Sequence, residues 1–107
     1  MTDEEASDLT LDEILAAAAL DLPGVATDQD GAATIWSAAG SVFATLMGER
    51  AEFRLDPLVA RAALRTPDTA PSSRGADWIR FNPQELDGHA LDRLRAWLEL
   101  GYRRAGE

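Results

Sequence analysis

Leu11, Ile14, Leu15, Ala18 and Leu22 recur three or four positions apart, the spacing that lines up side chains along one face of a helix. Thr10 is placed to accept from the Glu13 amide while Glu13 reaches back to the Thr10 amide, a capping box, and Leu9 is set to pack on Ile14 as a hydrophobic staple. Pro23-Gly24 ends the helix. After a polar loop around "TDQDG" the period drops to two. "AATIWSA" (32–38) and "SVFATLM" (41–47) meet at Ala39-Gly40, and "RAEFRLD" (50–56) follows Gly48-Glu49. Short glycine-bearing links between β-favouring runs predict tight hairpins. In the third run Ala51, Phe53 and Leu55 alternate with Glu52, Arg54 and Asp56, giving one face to the core and one to solvent.

Asp56-Pro57 then reads as an N-cap followed by proline at the first helical position, opening a short helix that ends near Arg65, before Thr66-Pro67. "TPDTAPSSRG" (66–75) is rich in Pro, Ser and Thr and reads as a loop with room for a short edge strand at its end. "DWIRF" (77–81) is extended, with Ile79 and Phe81 on one face and Trp78 and Arg80 on the other. A final helix from Gly88 carries Leu91, Leu94, Trp97, Leu98, Gly101 and Tyr102 on one side. The expected order is α-β-β-β-α-β(-β)-α: a single α+β domain over 1–107, a two-layer sandwich with an antiparallel sheet of four to five strands and its helices on one face.

Charge changes this picture at one end only. Of the 19 acids, nine precede Gly31, where there is no base; the remainder of the chain balances its acids against ten arginines, so the net charge of −9 belongs to the N-terminal part. Residues 1–8 read as a frayed acidic leader. A GC-rich coding bias accounts for arginine as the sole basic residue type. With no cysteine, disulfides, thiol nucleophiles and cysteine-ligated zinc are excluded. No apolar run approaches the roughly 20 residues that span a bilayer, and the first residues are acidic where a signal peptide is basic, so a cytoplasmic protein without membrane contact is expected.

Candidate chemistry is sparse. His89 is the sole histidine, and no nucleophile motif accompanies it; it reads as an exposed first-turn residue. Glu85 and Asp87 read as caps in "NPQELDG", with a short turn at 83–86. "DQDG" at 28–31 echoes part of a calcium loop but lacks the later ligands. Phosphate-cradling glycine loops and dinucleotide fingerprints are missing. A non-enzyme without metal or cofactor is expected. The open face of the sheet remains, where Arg54, Trp78 and Arg80 point outward and Arg74 lies nearby. Trp36 joins them if Ile35 takes the core, and the two compete for it. Indoles stack and guanidinium groups pair with phosphate or carboxylate, which makes Trp36, Arg54, Arg74, Trp78 and Arg80 a candidate binding surface. Against this stands a plainer arrangement, with Trp78 shielded by a neighbouring loop and the arginines paired to Glu52 and Asp77.

The motif order resembles the MmcQ/YjbR family: "LPGV" at 22–25, the "SVFATL" strand, "FRLDP" leading into the short helix, "DWIRF", and a last helix with "LELGYRRA". The resemblance implies a fold similar to secretion chaperones and to the CyaY-like domain of frataxin, with duplex DNA as the partner. Relatives carry a basic run before the tryptophan that corresponds to Trp78, whereas this chain has "SSRGAD" with Arg74 as its single base. Two other readings stand beside DNA binding: a protein-interaction module, which the net charge favours, and cation or iron handling by the acidic first helix.

Overall fold

The computed structural model describes residues 10–106; the acidic leader and the Leu9 staple lie outside the described residues. The elements are α1 (Leu11–Leu20), β1 (Ala26–Asp30), β2 (Ala33–Ala38), β3 (Ser41–Met47), β4 (Arg50–Arg54), α2 (Pro57–Ala63), β5 (Thr69–Pro71), β6 (Trp78–Phe81) and α3 (Gly88–Ala105). The strands form one sheet in the order β1-β2-β3-β4-β6-β5, every neighbouring pair antiparallel. It is a two-layer α+β fold, one strand larger than the sequence pattern predicts.

The additional strand is β1, which the pattern reads as a polar loop. All five of its residues are exposed, so neither face demands apolar side chains, and hydropathy carries no signal. Backbone pairing with β2 and the two-residue turn after Asp30, with Gly31 at φ 64°, form the strand. β5 lies in the middle of the 66–75 segment instead of at its end. It runs parallel to β4, with β6 hydrogen-bonded between them.

The helices start where their caps stand. Thr10 and Glu13 complete the capping box of α1. Asp56 accepts from the Leu58 amide at 2.9 Å ahead of Pro57, and Asp87 accepts from the Ala90 amide at 2.9 Å to open α3. Residues 83–86 form a bend, tied to Asp68 through the Asn82 and Gln84 amides.

The core lies between α3 and one face of the sheet. Phe43, Phe53, Leu55, Ile79, Phe81 and Leu94 are fully buried. Trp97 sits edge-on to Phe81 with ring centroids 5.0 Å apart. At Gly101, α3 comes so close to the sheet that an added Cβ would lie 3.1 Å from the carbonyl oxygens of both Phe43 and Arg54.

Trp36 is 1% exposed and belongs to this core, so it leaves the candidate binding surface; Ile35 takes the outward position. The cause is the partner strand. Trp36 stands opposite the small Ala44, and a register shift in β3 places Phe43 as an additional residue beside it. Burying an indole is worth about 4 to 6 kcal/mol from its area, which outweighs the roughly 1 to 3 kcal/mol cost of a ring N–H left without a partner. The Trp36 Nε1 has none among the described residues.

Candidate binding site on the open sheet face

Alternation along the strands and their register define the other face. One row across it runs Asp28, Ile35, Thr45, Glu52, Arg80 and Ala70, from one edge of the sheet to the other. A shorter row holds Asp30, Ala33, Met47 and Arg50, and Arg54 stands opposite Trp78 on β4 and β6. β4 thus sends Arg50, Glu52 and Arg54 to this face.

Glu52 organises its centre. Its Oε1 accepts from Arg74 Nε at 2.7 Å and from the Thr45 hydroxyl at 3.4 Å, and its Oε2 accepts from the Ser72 hydroxyl at 2.8 Å. Burial pushes the Glu52 carboxyl up, but the bonds from Arg74 and Ser72, the Arg74 charge and the Thr45 hydroxyl outweigh it and hold the group below the ordinary carboxylate range. The Ser72 hydroxyl also accepts from the Arg74 amide, which folds the β5–β6 loop onto the sheet. Arg74 then lies with its guanidinium carbon 5.3 Å from the centre of the Trp78 ring, a cation–π contact.

Asp77, just ahead of β6, ties the rim together. Its Oδ2 accepts from Arg54 Nε at 3.1 Å and from Arg104 of α3 at 3.3 Å. Burial raises the Asp77 carboxyl, and bonds from Arg54, its own backbone and Arg104, with the Arg54 charge, lower it further, so it too is held below its ordinary value.

Of the five residues expected on this surface, four reach it: Arg54, Arg74, Trp78 and Arg80. They do not form a free cationic patch. Arg54 is paired with Asp77, Arg74 with Glu52, and Trp78 is half-buried beneath Arg74, as in the plainer arrangement. Arg80 and Arg50 form no ion pair among the described residues. Together with Thr45, Met47, Glu52 and Arg74 they line a shallow cavity of about 360 Å³. Arg50 and Met47 were missed as candidates. The signal for Arg50 lay in the alternation itself, two positions before Glu52 and four before Arg54.

The remaining candidates lie elsewhere. His89 is exposed on the first turn of α3, Glu85 is exposed in the bend, and Asp87 is committed to its cap. In "DQDG", Asp28 and Asp30 face the open side of the sheet while Gln29 turns to the other face and donates to Thr34. In α1, Glu13 is spent in the capping box, and no group of three or more metal-ligating side chains occurs among the described residues. No helix among them is long and apolar enough to cross a membrane.

No protein-family model and no curated protein matches the chain. Among solved structures, the crystal structure of a protein from Pseudomonas syringae, a structural-genomics target, is similar with a TM-score of 0.69 and 11% identity, covering 91% of this chain and 99% of that one. At that identity the likeness shows the fold.

Proposed function

We propose that this protein is a non-catalytic cytoplasmic binding domain that engages a protein partner through the open face of its sheet. The observation that carries the reading is the Glu52–Arg74–Trp78 arrangement. It fixes one arginine and an indole on the sheet while Arg50 and Arg80 have no ion-pair partner among the described residues and stand beside an exposed Met47. Preorganised aromatic and arginine groups next to accessible apolar surface are what protein interfaces are built on.

Duplex DNA, the partner that the MmcQ/YjbR resemblance implies, is the second reading, favoured by the cationic cavity. Affinity for a duplex comes from neutralised phosphates. Of the four arginines on this face, Arg54 and Arg74 are already neutralised by Asp77 and Glu52, and Asp28 and Asp30 stand on the same face.

Two assays with the full chain separate the readings. In the first, proteins captured from cell extract by the wild type are compared with those captured by Arg80→Glu and by Arg95→Glu, a substitution at an exposed position of α3. A protein held by the wild type and the Arg95 variant but lost by Arg80→Glu supports the open face; a set unchanged by Arg80→Glu overturns it. In the second, a salt-titrated duplex assay should give no saturable binding at low salt. Tight binding that falls steeply with salt would favour DNA instead.

A further inference from the structure

The cavity bounded by Arg50, Arg74 and Arg80 has a definite chemical preference, and reading it rests on the open face being a protein-binding face. Three guanidinium groups surround a single carboxylate. That carboxylate is already engaged, since both Glu52 oxygens accept hydrogen bonds from Thr45, Ser72 and Arg74. Arg80 stands directly across from Glu52 on the neighbouring strand, and Arg50 is two residues away on the same face, yet neither pairs with it. Two planar donor forks therefore line the cavity unpaired among the described residues, and Arg74 forms its third side.

We infer that the cavity captures the Asp or Glu side chains of an acidic segment of a partner protein. Arginine and carboxylate match in geometry, forming paired, charge-assisted hydrogen bonds. Two features favour carboxylates on a peptide over a phosphate. Glu52 at the centre repels a compact dianion more than single negative charges spaced along a chain. Met47, 48% exposed at the rim, and Val42, 38% exposed on the same face, offer apolar contact that a peptide can use and a free anion cannot. A nucleic-acid duplex laid along the sheet would meet Asp28 and Asp30 at the β1 edge, whereas a short extended peptide over β3, β4 and β6 avoids them.

The test is calorimetry on the full chain with a short synthetic peptide of alternating glutamate and alanine, against a glutamine counterpart and a DNA duplex as separate titrants. Saturable binding of the acidic peptide, loss of binding for the glutamine peptide, and affinity about tenfold weaker in an Arg50→Ala, Arg80→Ala double variant are expected. Arg95→Ala is the control and should bind as the wild type does. Heat absent from the acidic peptide, equal binding of the glutamine peptide, unchanged affinity in the double variant, or displacement of the peptide by the duplex each overturns the inference. If the acidic peptide is silent while partner capture still depends on Arg80, the acidic-segment inference falls and the open-face reading stands. If capture is also indifferent to Arg80, both fall.

Discussion

Glu52 accepts hydrogen bonds from Thr45, Ser72 and Arg74, and this makes its ionisation part of the fold's stability as well as of the site's geometry. A carboxyl held below its ordinary value stabilises the folded state fully above the unfolded value, and that stabilisation is lost as pH falls through the folded one. For Glu52 the ordinary value is 4.5. Glu52→Gln should therefore cost about 1 kcal/mol at neutral pH, allowing for solvent screening of the half-exposed Arg74. The deficit should shrink as pH drops below 4.5. Chemical denaturation of both proteins across pH checks this, and a deficit independent of pH would contradict it. At this scale the sequence was informative about facing and named Glu52 and Asp77 as the pairing acids, but not which arginine each would take. Arg54, Trp78 and Arg80 were legible as outward residues because alternation sets direction. That Arg74 would reach Glu52 was not, because the contact spans 22 positions and depends on how the β5–β6 loop folds. Trp36 was legible as apolar but not as inward, since the small residue opposite it is on another strand.

Among the elements, α3 was the most legible, with its face, its start at Gly88 and its cap at Asp87 all encoded locally. Its burial gives two stability predictions. Leu98, 1% exposed, packs in the core, so Leu98→Ala should cost about 2 to 5 kcal/mol by denaturant unfolding; a neutral result would displace the helix from the sheet. Gly101→Ala sets two effects against each other. Alanine favours a helix over glycine by roughly 1 kcal/mol, but overpacking costs about 1 to 3 kcal/mol. The added carbon would press on two backbone carbonyls, which cannot step aside as a flexible side chain would. A net loss of up to about 2 kcal/mol is expected, and a gain would mean that α3 and the sheet are further apart than described. β1 was the least legible element. An edge strand exposed on both faces is held by backbone bonds to β2, and those leave no mark in hydropathy.

For the whole molecule, charge is segregated. The chain carries −9, with nine of its acids before Gly31 in the sequence, while the cavity on the open face gathers three arginines around one acid. A protein of this sign repels nucleic acid and acidic peptides alike at long range, so the proposed carboxylate site acts through short-range pairing. The fold class was readable from the order of periodicities, but the cavity was not, because its walls come from β2, β3, β4, β6 and the loop before β6. The three tryptophans offer a direct measurement of which face works: Trp36 and Trp97 are buried in the core, and Trp78 is half-buried on the open face beneath Arg74. Their indole N–H signals can be followed by heteronuclear NMR while the full chain is titrated with the glutamate–alanine peptide. The Trp78 signal should shift to saturation while those of Trp36 and Trp97 stay in place. A stationary Trp78, or shifts confined to the two core indoles, would contradict a binding site on the open face of the sheet.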